Sequence, residues 1–408
     1  MKALSLYSGI GGLDFGFEAA GFTTAVALDN DPRACSTMRL NRAWSVLEGP
    51  VADFSNDQIL EAAGLRSEEA DVLIGGPPCQ PFSKSGYWSS GDARRLSDPR
   101  ADTLSEYLRV LAGTLSAVFL LENVPGLAYK GKSEGIRVIE DGIKSINERA
   151  GTRYTCSVRS LNAVDYGVPQ LRERVFVVGF RNGHEFRFPQ PTHFPADRLE
   201  VAGGGQVHRT AWDAFATLAP QSIGADLEMT GKWAGLLGSV PEGQNYLWHT
   251  ERGGGQPLFG WRRRYWNFLL KLAKDRPSWT IQAQPGPSTG PFHWDSRRLS
   301  PMEAARLQTF PDGLQFDGTL RDAQRLIGNA VPSALAEVLA LAIRRQLVDA
   351  TDTDECLATL VPARQSDIPE AKAVEPVPPI YMTLAGNDTE HPGTGRGRGA
   401  LQRDDLSA

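Results

Sequence analysis

Cysteine is scarce in this chain of 408 residues, and its four cysteines form no recognisable pair. Cys35, Cys79, Cys156 and Cys356 lie far apart, with no Cys-x-x-Cys pair and no histidine at metal-ligand spacing. This pattern argues against a disulfide framework and against a structural zinc site, and we expect no metal. Any cysteine with a special role must therefore act alone.

Long apolar runs and the features of a secretory signal are also missing. We find no run of membrane-spanning length, and the first residues, "MKALSLYSGIGG", pass from a buried-strand pattern into a glycine turn. We therefore expect a cytoplasmic protein without a membrane partner. The net charge of −5 comes from residues 351–408, which hold twice as many acidic as basic residues. The remaining body is neutral and can still carry a local basic cleft.

Short apolar runs alternate with helical patterns through the first half of the chain. "ALSLYS", "DVLIGG" and "RVFVVGF" are typical of strands, and "TLSEYLRVLAG" is typical of the helices between them. The alternation predicts an α/β fold with a doubly wound, mostly parallel sheet. In such sheets the functional residues lie at the carboxyl ends of the strands.

Changes in composition divide the chain into four parts. Residues 1–181 form the predicted α/β domain, and residues 182–298, rich in Gly, Pro, Arg and aromatics, a smaller loop-rich domain. Helical patterns return in residues 299–350, where "RDAQRLIGNAVPSALAEVLALAIRRQLV" is long and amphipathic enough to pack against the sheet. Residues 351–408 are acidic and rich in Pro and Gly, which predicts a disordered tail.

The glycine turn after the first strand is a candidate ligand-binding loop. In "LYSGIGGLDFG", Gly9, Gly11 and Gly12 lead into a helix whose free N–H groups a ligand can approach closely. A dinucleotide fingerprint needs a third glycine where Asp14 stands, which weakens a nicotinamide enzyme as a hypothesis. Asp29 follows the next strand and is placed to bind ribose hydroxyls. A plain turn with helix-capping acids is the alternative interpretation.

Cys79 lies in an unusual position within "DVLIGGPPCQPFSKSG". Pro77 and Pro78 end the preceding strand and stiffen its exit, which presents the thiol at the carboxyl edge of the sheet. The alternative is an inert core cysteine, the commoner fate of a lone thiol. Core cysteines usually lie within an apolar face, so the sequence favours a displayed nucleophile.

Charged residues mark two further strand ends. Glu122 follows the apolar run of "FLLENVPGL", where a carboxyl group held against apolar neighbours has a raised pKa and can donate a proton. Arg172 and Arg174 alternate in "QLRERVFVVG", so their guanidinium groups should point to one side. The alternatives are a turn or helix cap for Glu122 and solvated edge charges for the two arginines.

Taken in order, these elements resemble the DNA (cytosine-5)-methyltransferase family of bacterial type. The resemblance rests on "YSGIGGLDFG", "GGPPCQPFS", "ENVPGL", "VPQLRERVFVVG", "RRLSPMEAARLQTFPD" and "LIGNAVP", and it extends from Leu4 to about Leu347 except for the loop-rich part. The combination is specific, although each motif alone is weak.

The resemblance implies S-adenosylmethionine as methyl donor, with S-adenosylhomocysteine as product, in a Rossmann-like methyltransferase domain. It implies a cofactor site formed by Tyr7, Gly9, Ile10, Gly12, Asp29, Asn30, Asp53, Phe54, Pro78, Asn329 and Val331. The chain departs from the family pattern at Ser5 and Tyr7, where Asp and Phe are usual, and at Asp29, where Glu is more frequent.

The resemblance also implies the reaction and its substrate. Cys79 would add to carbon 6 of a flipped-out cytosine in double-stranded DNA, Glu122 would assist at ring nitrogen 3, and Arg174 would hold the base oxygen, while Arg172 would steady the loop and the thiolate. Residues 182–298 would be the target-recognition domain, and residues 299–350 a hinge helix and a returning C-terminal helix. The expected DNA contacts are Gln80, Ser83, Ser85, Arg262, Arg263 and Arg264.

Two alternatives belong to other functional classes. A tRNA cytosine-5 methyltransferase shares this catalytic set, but the Cys-Phe-Thr signature of that branch is missing from residues 182–298. A catalytically silent DNA-binding regulator conflicts with the intact Cys79, Glu122 and Arg174. The DNA enzyme is thus the favoured hypothesis. We expect a nucleoid-associated monomer, and a restriction endonuclease acting on the same site is a partner that the sequence neither requires nor excludes.

Overall fold

The computed structural model describes residues 1–78, 102–125, 134–200, 204–218, 227–261, 265–349 and 357–384. The strands are β1 (Lys2–Leu6), β2 (Thr23–Asp29), β3 (Ser45–Glu48), β4 (Val72–Gly75), β5 (Val118–Asn123), β6 (Ser157–Asn162), β7 (Glu173–Phe180), β8 (His193–Phe194) and β9 (Gln206–Val207). The helices are α1 (Gly12–Ala19), α2 (Pro32–Asn41), α3 (Asn56–Ala63), α4 (Asp102–Thr114), α5 (Glu134–Ala150), α6 (Ala211–Phe215), α7 (Pro301–Leu307), α8 (Leu320–Asn329), α9 (Ser333–Arg344) and α10 (Pro379–Met382).

Seven strands form one sheet in the order β3-β2-β1-β4-β5-β7-β6. The first five are parallel, β7 runs antiparallel to β5, and β6 runs antiparallel to β7. The predicted doubly wound, mostly parallel sheet is therefore confirmed. The chain reverses its direction of strand addition between β1 and β4, where an α/β sheet opens a crevice at its carboxyl edge.

Helices cover both faces of the sheet, which explains why its central strands are apolar throughout. In β5, Val118 and Leu120 face α1 and α9, whereas Phe119 and Leu121 face α3, α4 and α5. This is the alternation expected from the two-residue period of a strand. Both packed layers hold the strand ends, and the polar residues on them, in fixed positions.

The last helical pattern is interrupted where the sequence suggests one long segment. Helix α8 ends at Asn329 and α9 begins at Ser333, because Pro332 has no N–H to donate and disfavours a helical residue before it. By length and composition alone Leu320–Val348 qualifies as a membrane span, contrary to our expectation, but 89% of its apolar window is buried inside the protein.

The C-terminal region differs from the prediction of disorder over residues 351–408. Residues 357–384 lie against the protein with defined contacts, although only Pro379–Met382 forms a helix. The composition is rich in proline, which prevents regular hydrogen bonding within this segment. Its side chains instead pack on surfaces that are remote in sequence.

Candidate active site

The glycine turn that follows β1 brings backbone atoms close to the end of α8. Gly9 and Gly11 have positive φ angles of 57° and 85°, a conformation that glycine adopts without strain. A Cβ atom added at Gly12 would lie 2.4 Å from the carbonyl oxygen of Val331. The sequence needs glycine here because the first turn of α1 touches the segment between α8 and α9.

Asp29, at the carboxyl end of β2, is held by two backbone N–H groups. Gly9 donates to its Oδ2 at 2.8 Å, and Asp31 donates to its Oδ1 at 2.9 Å. Burial raises the pKa of Asp29, while the hydrogen bonds from Asp31 and Gly9 act to lower it. The carboxylate therefore fixes the glycine turn against the end of the second strand.

A cavity of about 480 Å³ opens at the carboxyl edge of the sheet, above these strand ends. Eight of the residues expected at the cofactor site line it: Tyr7, Gly9, Gly12, Asp29, Asn30, Pro78, Asn329 and Val331. Glu122 and Arg174, expected to take part in catalysis, line it as well. The structure thus brings together residues from the first 30 positions, the middle of the chain and the α8–α9 break.

Three residues expected at the cofactor site do not line this cavity. Ile10 is buried in a separate core cluster with Phe15 and residues of α7 and α8. Asp53 is exposed, and Phe54 packs against the core on the α3 side of the sheet. The resemblance implied these three positions from sequence motifs, and only the folded structure shows where each of their side chains lies.

Arg325 and Asp31 line the cavity and were missed by the sequence analysis. Arg325, on α8, forms an ion pair with Asp31, the N-cap residue of α2. Helical spacing offered one signal, because Arg325 precedes Asn329 by four residues and so lies on the same helix face. Asp31 had no comparable signal beyond its position at the start of a helix.

Glu122 and Arg174 form an ion pair on neighbouring strands at the cavity wall. The Nε atom of Arg174, on β7, lies 2.8 Å from Oε1 of Glu122, on β5. Burial raises the pKa of Glu122, and the nearby charges of Arg174 and Arg172 act to lower it. Because burial has the larger effect, the carboxyl group is poised to hold a proton more readily than an exposed glutamate.

The exit of β4 packs directly on this ion pair. A Cβ atom at Gly76 would lie 2.9 Å from Oε2 of Glu122. The side-chain amide of Asn123 donates to the carbonyl of Pro77 at 3.3 Å, and the hydroxyl of Thr103 donates to that of Pro78 at 3.3 Å. The segment that leads to Cys79 is therefore anchored beside the Glu122 carboxylate.

Arg172 lies close enough to influence Glu122, but its main contacts are elsewhere. Its Nη2 atom donates to the carbonyls of Gly328 and Ala330, each at 2.8 Å, and Nη1 donates to that of Ile281 at 3.3 Å. The side chain is completely buried, and its Nε atom has no hydrogen-bond partner among the residues that the structure describes. Arg172 thus fastens the cavity wall at the end of α8 to β7.

Several predicted site residues lie outside the described parts of the chain: Cys79, Gln80, Ser83, Ser85, Arg262, Arg263 and Arg264. Within the described ranges, no cluster of three or more His, Cys, Asp and Glu side chains could hold a metal ion.

The unusual Ser5 has a structural partner in Asp14. The Ser5 hydroxyl donates to one carboxylate oxygen of Asp14 at 3.0 Å, and the Thr24 hydroxyl donates to the other at 3.1 Å. Asp14 is fully buried beneath the glycine turn. A carboxylate on α1 thus lies beside β1, where the family that the sequence resembles usually has an acid on the strand itself.

Comparison with known proteins shows the family to which the chain belongs. A family model described as C-5 cytosine-specific DNA methylase matches residues 1–345. The chain belongs to the C-5 cytosine-specific DNA methylase family. It is a DNA cytosine-5 methyltransferase, as the resemblance in sequence predicted, and neither the tRNA enzyme nor the silent regulator is favoured.

Individual relatives agree with the family. The chain is 41% identical to the Type II methyltransferase M.SacI of Streptomyces achromogenes over 371 residues, which cover 85% of this chain and 93% of the relative. It is 33% identical to the Type II methyltransferase M.NgoFVII of Neisseria gonorrhoeae, with 81% and 83% covered. The solved structure of the Entamoeba histolytica methyltransferase EhMeth matches with a TM-score of 0.55 at 18% identity, covering 86% and 98%, and supports the fold.

Proposed function

We propose that the cavity at the sheet edge binds S-adenosylmethionine. A volume of about 480 Å³ falls within the range of about 300–1,000 Å³ usual for small-ligand sites. Gly12 packs tightly against the Val331 carbonyl, and both residues form part of the cavity wall. The lining carries the carboxyl groups of Asp29, Asp31 and Glu122 and the guanidinium groups of Arg174 and Arg325, the few polar groups among apolar walls that orient a ligand. The bound cofactor would supply an electrophilic methyl group.

The proposed chemistry begins with a cytosine extruded from the DNA duplex, since carbons 5 and 6 cannot be reached within the stack. The Cys79 thiolate adds to carbon 6 while Glu122 protonates or hydrogen-bonds ring nitrogen 3, so that electron density moves to carbon 5. Carbon 5 would then take the methyl group, with S-adenosylhomocysteine as the leaving group. Loss of the carbon 5 proton to water, departure of the Cys79 thiolate and return of the ring-nitrogen proton to Glu122 would restore the aromatic ring and the enzyme.

Arg174 and Arg172 have different roles in this proposal. Arg174 holds the base oxygen and keeps the Glu122 carboxyl oriented through their contact of 2.8 Å. Arg172 fixes the cavity wall through its hydrogen bonds to the carbonyls of Gly328 and Ala330. The observation that carries the proposal is the Glu122–Arg174 pair, which lines the same cavity as the glycine turn and Pro78.

Bisulfite sequencing of plasmid DNA from a methylation-free host tests these roles. Expression of the protein should protect cytosines at one short recurring sequence, and Cys79→Ser should abolish the protection. Cys156→Ser is the matched control, since Cys156 immediately precedes β6 and does not line the cavity, and it should leave the protection intact. Protection that survives Cys79→Ser would show that the proposed nucleophile is wrong.

We propose that residues 182–298 read the target sequence. In the described part of this region, Trp261 is 43% exposed, and the Arg252 guanidinium lies 4.2 Å from its ring centroid. Trp261 immediately precedes Arg262, Arg263 and Arg264 in sequence. A cationic segment with an exposed aromatic ring suits contacts to phosphates and base edges. Replacing the three arginines with glutamine should weaken binding of the target duplex and reduce its salt dependence.

We further propose that this cytoplasmic enzyme acts as a monomer and belongs to a restriction–modification pair. Support for the pair comes from M.SacI and M.NgoFVII, both named Type II methyltransferases. Once the target sequence is known, extracts of the source organism should cleave unmethylated DNA at that sequence and spare DNA methylated by this enzyme. Light scattering of the purified protein, with and without a target duplex, measures its molar mass and so tests whether it is a monomer.

A further inference from the structure

Residues 357–384, here called the C-terminal strap, connect the two parts of the protein. The strap starts on α9, which packs on the sheet, and ends in the apolar core of the recognition region, residues 182–298. Extended segments of this kind are stabilised by what they contact, because they have few hydrogen bonds of their own. The contacts at each end show what the strap holds in place.

The first anchor is Glu337, a completely buried carboxylate on α9. It accepts hydrogen bonds from the backbone N–H and the hydroxyl of Thr359, both at 2.7 Å, and from the backbone N–H of Leu360 at 2.9 Å. A buried charge is costly unless it is fully hydrogen-bonded, and these bonds to a carboxylate are of the strong kind. The buried Glu337 carboxylate therefore strongly stabilises the state in which the strap is docked on α9.

The middle of the strap is held by Asp213 at the start of α6. Gln365 donates its backbone N–H to Oδ1 of Asp213 at 2.8 Å, and the Arg364 guanidinium donates to Oδ2 at 3.1 Å. The same carboxylate caps α6 through the backbone N–H of Thr210. The strap thus shares a helix cap with the recognition region.

The second anchor is Tyr381, which is buried in the core of the recognition region. Its ring stacks on Trp233 with centroids 5.9 Å apart and an interplanar angle of 22°. Its hydroxyl donates to the carbonyl of Lys232 at 2.8 Å. Burial of an aromatic ring supplies much of the stabilisation at such a contact.

Between these anchors, Lys372 joins a group of charges on the recognition region. Its ammonium group forms an ion pair with Asp295, and its backbone N–H donates to Glu242 at 3.1 Å. Glu242 also pairs with Lys274, and both side chains are nearly buried. The strap is therefore tied to the recognition region by charge as well as by apolar packing.

We propose that the C-terminal strap is a positioning element for DNA recognition, which holds the recognition region in the orientation that suits a duplex bound over the cavity. Contacts between domains of one chain commonly allow relative motion unless they are large and apolar. A strap anchored at both ends reduces that motion and raises the fraction of molecules ready to bind DNA. This inference rests on the proposal that residues 182–298 contact DNA.

Binding measurements on strap variants test the inference. Tyr381→Ala removes the ring from its place beside Trp233, and Tyr381→Phe is the matched control that keeps the ring. If release of the strap lowers the fraction of molecules ready to bind DNA to about a tenth, the Kd for the target duplex rises about tenfold. The Kd for S-adenosylmethionine should stay within a factor of about two, because no strap residue lines the cavity. Tyr381→Phe should bind both ligands as the wild type does.

Glu337→Gln loosens the other end of the strap without touching the recognition core, and it should give the same selective loss of DNA affinity. If only Tyr381→Ala weakens DNA binding, the effect belongs to the recognition core, and the inference is overturned. It is also overturned if both Kd values rise together. A wild-type protein that fails to methylate DNA would instead contradict the proposed function, so the two failures are distinguishable.

Discussion

Arg174 Nε lies 2.8 Å from Glu122 Oε1, across two antiparallel strands that pair Glu122 with Phe176 in register. Both side chains are largely buried at the wall of the same cavity. Burial raises the pKa of Glu122 despite the neighbouring arginines. The pair thus combines a carboxyl group that can retain a proton with a fixed hydrogen-bond donor, the two properties that activation of a cytosine ring requires.

We predict that Glu122→Gln lowers kcat by about 10²- to 10⁴-fold, because the amide cannot supply a proton to the base. The Kd for the cofactor should change little. In the wild type, kcat should decline as pH rises through the pKa of Glu122, and this decline should be absent in the variant. Radiolabelled methyl transfer from pH 5 to 9 measures both effects. Glu173→Gln, an exposed change on β7, is the control, and an equal loss there would contradict the role of Glu122.

Substitutions of Arg172, which precedes β7, and of Arg174, which lies on β7, should have different effects. Arg172→Lys would leave the carbonyls of Gly328 and Ala330 short of donors and should lower the free energy of unfolding by roughly 3 kcal/mol. Arg174→Lys keeps the charge but loses the planar donor, and should lower kcat about a hundredfold with little change in unfolding. Urea titration and single-turnover kinetics on both variants separate the two roles. Matching effects of the two changes would contradict the division.

Gly12→Ala should weaken cofactor binding. The added Cβ would lie 2.4 Å from the Val331 carbonyl, so α1 and the α8–α9 segment, which both line the cavity, must move apart. Overpacking of this kind costs about 1–3 kcal/mol, and 1.4 kcal/mol corresponds to about a tenfold rise in the Kd for S-adenosylmethionine. Calorimetry measures the change. Gly286→Ala, whose nearest neighbour is a Thr289 hydroxyl at 3.1 Å, should bind the cofactor normally.

Asp14 should make the stability of the fold depend on pH. Burial raises its pKa from 3.8 to about 7, although hydrogen bonds from Ser5 and Thr24 act to lower it. Between these two values the folded state binds more protons than the unfolded state, so the free energy of unfolding falls as pH rises. At one pKa unit per 1.36 kcal/mol, the decrease is at most roughly 4 kcal/mol.

Asp14→Asn removes the titrating group while keeping its shape, so the variant should lose this part of the pH dependence. Urea unfolding of both proteins at pH 5 and pH 8 isolates the contribution of Asp14 from those of Glu122 and Asp29. Parallel pH profiles would show that Asp14 titrates as an exposed aspartate.

Much of the fold follows from patterns that are local in the chain. The apolar alternation of β1, β4 and β5 is legible because a strand places alternate residues on opposite faces, whichever strands it pairs with. The glycines of the first turn and the acid of Asp29 were recognisable for a similar reason, since turns and strand ends impose their own chemistry on nearby residues.

Other features depended on contacts between residues far apart in sequence. The two-residue period of a strand predicts that Arg172 and Arg174 point to the same side. Only the position of α8, however, brings the carbonyls of Gly328 and Ala330 within hydrogen-bond distance of Arg172. Arg325 reaches Asp31 across 294 residues.

Residues 357–384 show most clearly that contacts between distant residues cannot be predicted from local sequence. Their composition is that of a disordered tail, because it offers little apolar surface to form a core of its own. The buried Glu337 carboxylate and the ring of Trp233 supply partners that no local pattern reveals. The sequence by itself determined the strands, the glycine turn and the polar strand ends, since these depend on neighbouring residues. Tertiary structure decided which side chains share the cavity and where the tail lies, since those depend on surfaces that exist only once the chain has folded.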